Sequence, residues 1–193
     1  MAYTGEVLHN SVSGETIEFV QTSADTAGEV LAIDLTLTPD GHVPGTHVHP
    51  EQEERFEVES GTMKFKLGFK TIIAGPGDTV VVPTGKRHRF NNAGDDDAHV
   101  RVEVRPALRM EELFETTAAL ADEGRVLSTG MPKPLELALF VREYKREVRA
   151  PFPPPWVVRV TTTPLAALAR RLGRAERYRR PATGVGIATV ATA

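Results

Sequence analysis

Apolar side chains recur at every second position in several short stretches between Gly14 and Pro106, a period that predicts β-strands with one face turned inward. Leu31, Ile33, Leu35 and Leu37 alternate with Ala32, Asp34 and Thr36. Met63, Phe65, Leu67 and Phe69 alternate with Lys64, Lys66 and Gly68, and Val100, Val102 and Val104 alternate with Arg101 and Glu103. Turn clusters at Pro39-Asp40-Gly41, Gly75-Pro76-Gly77-Asp78 and Asn91-Asn92-Ala93-Gly94-Asp95 separate the runs. Short strands divided in this way predict a mainly β fold, an antiparallel sandwich or barrel, over residues 1–107.

After Pro106 the period lengthens to that of a helix. Met110, Leu113, Phe114 and Ala118 mark one amphipathic face, and Leu137, Phe140, Val141, Tyr144 and Val148 mark another. Pro151-Phe152-Pro153-Pro154-Pro155 predicts an extended arm, since no helix continues through it. A third helix is expected with Thr163 as N-cap, Pro164 at its first position and Gly173 at its close. Such short helices need a surface, so residues 108–193 are expected to pack on the barrel or on a partner in a homodimer. The small residues from Pro181 to Ala193 predict a poorly fixed terminus.

Charge divides the chain at the same place. Residues 1–107 carry 9 Lys and Arg against 17 Asp and Glu, whereas residues 108–193 carry 14 against 9. An acidic body is a poor neighbour for phosphates, so the basic segment from Arg170 to Arg180 reads as a solvated helix face and no nucleic-acid partner is expected. The chain lacks cysteine, which excludes disulfides and thiolate chemistry. It shows neither the start of a signal peptide nor an apolar run of membrane-spanning length, so a cytoplasmic protein without a membrane partner is expected.

Strand parity brings a set of metal-ligating side chains to one side. His47 and His49 are two apart and project together. Glu54 shares its face with Phe56 and Val58, whereas Glu53 shares the opposite face with Arg55 and Glu57. His88 shares a face with Phe90 and Asn92. Three imidazoles and a carboxylate suit one divalent ion of Fe, Mn, Ni, Co, Cu or Zn and leave room for water or substrate. His42 falls in a turn, while His9 and His99 lie on solvent-side positions. Asp95, Asp96 and Asp97 lack the spacing of a calcium loop.

The stretch Gly41 to Gly61, GHVPGTHVHPEQEERFEVESG, resembles the first cupin motif, G(X)5HXH(X)3,4E(X)6G, with each fixed position filled. Gly77 to Asn92, GDTVVVPTGKRHRFNN, resembles the second, G(X)5PXG(X)2H(X)3N, also complete. The 15 residues Thr62 to Pro76 between them match the short separation of compact microbial cupins. The resemblance implies a double-stranded β-helix barrel and a metal held by His47, His49, Glu54 and His88. Spacing from His49 alone leaves Glu53 and Glu54 open; the six residues before Gly61 select Glu54.

Cupins carry many reactions, so the inward lining is the better guide to substrate. Ile33, Leu35, Phe56, Met63, Phe65, Leu67, Phe90 and Val102 are expected to line a largely apolar pocket, with Lys64, Lys66 and Arg101 outside it. That lining disfavours a phosphosugar and suits a small apolar or aromatic substrate with an oxygen at the metal. A quercetinase-like dioxygenase is the leading expectation. The alternatives are a metal-dependent cyclase or isomerase without redox change, and a small-molecule-binding cupin without turnover. Glu54 is also the candidate base, and Asn92 either orients a ligand from behind or caps its turn.

Overall fold

Strands form where one alternating apolar row meets another. In the computed structural model, which describes residues 2–178, the chain folds into two antiparallel sheets followed by helices. The strands are β1 (Val7–Asn10), β2 (Glu15–Gln21), β3 (Leu31–Leu37), β4 (Glu53–Ser60), β5 (Met63–Leu67), β6 (Lys70–Ala74), β7 (Thr79–Val82), β8 (His88–Asn92) and β9 (Ala98–Arg105). One sheet has the order β1-β2-β3-β9-β4-β7 and the other β6-β5-β8. The first strand, β1, lies ahead of the Gly14 boundary expected from the sequence and adds an edge to the larger sheet.

Register places the apolar rows opposite one another. Val102 on β9 pairs with Ile33 on β3 and with Phe56 on β4, and Phe65 on β5 pairs with Phe90 on β8. The two sheets meet through their aromatic rings, Phe56 lying 5.1 Å from both Phe65 and Phe90. The turn between β4 and β5 needs glycine at position 61. Its φ is +79°, and a Cβ there would sit 2.6 Å from Ala98 Cα on β9. Strand β5 stops at Leu67, so Phe69 leaves the inward row; it is exposed in the following turn, beneath the Arg87 guanidinium.

The helices are α1 (Met110–Asp122), α2 (Pro134–Glu143) and α3 (Pro155–Arg171). Leu113 and Phe140 join the same apolar core as Ile33 and Phe56, so the core runs from the sheets into the helices. Buried Glu136 on α2 ties neighbouring segments together, its Oε1 accepting from Arg125 at 3.3 Å and Arg174 at 2.5 Å. Tyr144 caps α2 and Val148 lies beyond it, so the second helical face is shorter than the periodicity suggests.

The third helix differs from expectation. It begins at Pro155, Pro154 takes the N-cap position, and Pro164 lies in its interior. Proline at the first helical position costs no hydrogen bond because that N–H has no helical acceptor, which lets the helix start inside the proline-rich run. Thr163 lies within the helix and donates from Oγ1 to the Arg159 carbonyl at 2.6 Å instead of capping. Gly173, with φ +74°, follows the helix's last residues as expected. Arg179, Arg180 and the segment Pro181 to Ala193 lie outside the described residues. Among the described residues no helix is long and apolar enough to cross a membrane.

Candidate metal centre

His47 and His49 lie on the extended segment between β3 and β4, outside any ladder. Isolated bridges hold it: His47 pairs with His88 at the start of β8, and Val48 pairs with Arg149 after α2. The intervening Val48 pairs with a different segment and is itself buried, and the two imidazoles project together on the other side of the chain. On β4, Glu54 is buried with Phe56 and Val58, whereas Glu53, Arg55 and Glu57 are exposed. One ligand atom from each of His47, His49, Glu54 and His88 lies within 4.8 Å of the other three.

Hydrogen bonds on the far side of each ring set its protonation. The Nδ1 atoms of His47, His49 and His88 face the main-chain oxygens of Gly45 (3.2 Å), Glu147 (2.6 Å) and Lys86 (3.1 Å). A carbonyl oxygen only accepts, so each Nδ1 carries a proton, and in the neutral ring each Nε2 presents a lone pair. Those lone pairs face a carboxylate: His88 Nε2 is 2.9 Å and His49 Nε2 is 3.3 Å from Glu54 Oε2. These three buried atoms have no hydrogen-bond donor in that protonation state. A lone pair opposite a carboxylate is repulsive, and a divalent cation turns all the contacts attractive. The donor set fits a nitrogen- and oxygen-ligated divalent ion, with four protein ligands and open positions on a six-coordinate metal.

A shared proton is the competing way to satisfy these atoms, and the electrostatics follow it. Burial pulls the His49 imidazole down, but the charge and hydrogen bond of Glu54 outweigh it and raise its pKa. Burial likewise pushes Glu54 up, and His49 and His88 outweigh it, holding the carboxyl well below its ordinary range. His47 is lowered to about 3 by burial and by the neighbouring imidazoles, so it stays neutral.

The cluster borders a cavity of about 190 Å³. For scale, an engineered cavity of roughly 150 Å³ accommodates benzene. Ile33, Leu35, Phe56, Phe90 and Val102 line it from the sheets. Three other expected pocket residues do not: Met63 and Phe65 are fully buried in the core, and Leu67 pairs with His88 near the end of its strand. Helices supply the missing wall, with Leu113 and Phe114 from α1 and Leu137, Phe140 and Val141 from α2. The extension thus covers the cavity, a placement that periodicity does not reveal. Exposed Thr46, Arg149 and Ala150 line its open side, so one cation, Arg149, does reach the pocket.

Other candidates fall outside the cluster. Asn92 spends its side chain on its own turn, donating to Leu37 O (2.9 Å) and Asp96 O (2.8 Å) and accepting from Gly94 N (2.9 Å). That leaves nothing of it directed at the metal ligands, which decides between its two expected tasks. His42 is half-buried and bonded to Asp40 O, His99 is bonded to Thr36 Oγ1, and His9 is exposed. One cavity carboxyl, Glu15, was not anticipated. The signal was present, because Glu15 has the parity of apolar Ile17 and Phe19.

The cupin domain family matches residues 34–104, a span that holds all four clustered side chains. A comparison with curated proteins gave no match. Among solved structures, a predicted oxalate decarboxylase from Thermotoga maritima is similar at 20% identity, with a TM-score of 0.48 over 53% of this chain and 92% of that one. KdgF from Halomonas sp. is similar at 17% identity and a TM-score of 0.46, over 51% and 86% of the two chains. Streptomyces PAC13 with uridine gives 17% identity and 0.46, over 57% and 85%. Two complete motifs and the family match identify residues 34–104 as a cupin domain.

Proposed function

We propose that this protein is a metal-dependent enzyme acting on a small, largely apolar, oxygen-bearing substrate, with quercetinase-like dioxygenation as the reaction. The observation that carries the reading is the convergence of three imidazole lone pairs and the Glu54 carboxylate beside an apolar cavity. His47, His49, Glu54 and His88 hold the ion, and the carbonyls of Gly45, Glu147 and Lys86 fix the ring tautomers that make this possible. A bound divalent ion supplies Lewis-acid polarisation of a substrate oxygen and, for a redox-active metal, a site for oxygen chemistry.

The chain's own residues set what enters. Phe56, Phe90 and Val102 from the sheets and Leu113 and Phe140 from the helices exclude water from the ligand's apolar part. The cavity volume supports a substrate of about one substituted ring, smaller than a three-ring flavonol. With an ion held by these four side chains, a substrate oxygen meets the site's charge at the ion's free positions.

The test is oxygen uptake by protein reconstituted separately with Fe(II), Mn(II), Ni(II), Co(II) and Cu(II), using catechols and hydroxylated cyclic ketones of one ring, with a flavonol for size. Metal-dependent uptake with single-ring compounds is expected. Substrate conversion without oxygen uptake would replace dioxygenation by cyclase or isomerase chemistry. Tight ligand binding with no conversion under any metal would leave a binding protein.

A further inference from the structure

Glu15 opens β2 directly after Gly14, whose φ of +71° and close approach to the Thr38 side chain leave no room for a side chain. Its neighbours in register are Asn10 and Leu37, and the next residue of the same parity, Ile17, lines the same cavity. The carboxyl therefore enters the pocket from the sheet wall, apart from the four-residue cluster. Ser13 Oγ donates to its Oε2 at 2.5 Å, which fixes the group's orientation. Among the described residues Oε1 has no hydrogen bond. A fixed carboxyl with one unused oxygen in a mostly apolar lining is a polar group placed to meet a ligand.

We infer that Glu15 is a second anchor of the cavity, binding an oxygen of the same small apolar molecule whose other oxygen meets the metal. The ligand class is thus an uncharged single-ring compound bearing two oxygen substituents, a diol or hydroxy ketone. This rests on the proposed metal-dependent function for its first anchor only.

Electrostatics agree with a donor at this place. Burial pushes Glu15 up to about 7, while the Ser13 hydroxyl and the charge of His42 pull it down less strongly. Near neutral pH much of the group carries a proton, so it donates to a ligand oxygen and repels an anionic ligand less than an ionised carboxylate does. The charged and titratable groups facing it are His42 from the β3–β4 segment, with His47, His49, Glu54 and Arg149 around the cavity.

Calorimetric titration of the full-length, Zn(II)-loaded protein with phenol, catechol, resorcinol and hydroquinone tests the anchor. At pH 6.5, at least one diol should bind about fivefold or more tighter than phenol, the worth of one buried hydrogen bond. Glu15→Leu should erase that ratio and leave phenol binding within about twofold, while Glu15→Gln, still a donor, should keep the ratio. A ratio unchanged in Glu15→Leu, or no diol exceeding phenol, overturns the assignment. Metal dependence is a separate readout: phenol binding equally well without zinc would defeat the proposed function, while the diol-to-phenol ratio would still report on Glu15.

Discussion

His49 donates from Nδ1 to the main-chain oxygen of Glu147 at 2.6 Å, linking positions 98 residues apart. The contact joins a candidate metal ligand in the first motif to the segment after α2. Beside it, Val48 and Arg149 exchange two main-chain hydrogen bonds of 2.9 and 3.0 Å. The helical extension therefore reaches the candidate metal centre through its backbone.

Arg149→Pro removes one of those N–H donors and should loosen the Glu147 carbonyl that orients His49. Metal affinity should fall by roughly tenfold, the usual effect of losing a ligand's supporting partner. Stability should fall by about 1–3 kcal/mol. Arg149→Ala keeps the main chain and should bind metal as the parent does. Competition titration with a chromogenic chelator measures both, and equal affinities for the two variants would sink the backbone argument.

Glu54 and Glu53 should respond in opposite ways to the same substitution. Glu54→Gln removes a charged ligand from a buried cluster, and metal content after dialysis should drop by about tenfold or more. Glu53→Gln removes a solvent-side charge and should shift stability by no more than about 0.5 kcal/mol. If the losses are reversed, the strand register described for β4 is wrong by one residue.

Glu15 gives stability a particular dependence on pH. Its folded pKa of about 7 lies above the ordinary 4.5, so the fold favours the protonated carboxyl. The resulting stabilisation is complete below about pH 4.5 and is lost as pH rises through 7. Glu15→Gln does not titrate, so it should gain on the parent across that window by on the order of 2 kcal/mol, allowing for water in the cavity. Urea denaturation at pH 5, 6, 7 and 8 measures the gap. A constant difference between the two proteins contradicts a buried acid at position 15.

A homodimer is the assembly we propose. Trp156, Val160, Leu168 and Leu172 are exposed along and just beyond α3, more apolar surface than a lone helix face usually shows to water. Light scattering should return about twice the 21.1 kDa chain mass. A single-chain mass at micromolar concentration would remove the dimer.

Much of the barrel follows from a local rule, since side chains on a strand alternate between faces and an apolar row must be buried. Leu31 to Leu37, Met63 to Leu67 and Val100 to Val104 are therefore legible as strands, and Glu54 can be told from Glu53 by the company of Phe56 and Val58. Motif spacing identified the cupin domain because turns and ligands recur there at fixed separations.

What no local rule contains is which surfaces meet. The helical faces of Leu113 and Phe140 announce only that they need burial, and tertiary packing chose the cavity as the place. Sheet packing put Met63 and Phe65 in the core and out of the pocket lining, and the extension brought Arg149 to its open side and placed a carbonyl behind His49. Glu15 is the mixed case. Its parity was written in the sequence, but its burial depends on a wall built by residues about a hundred positions or more away, because burial is a property of the assembled cavity.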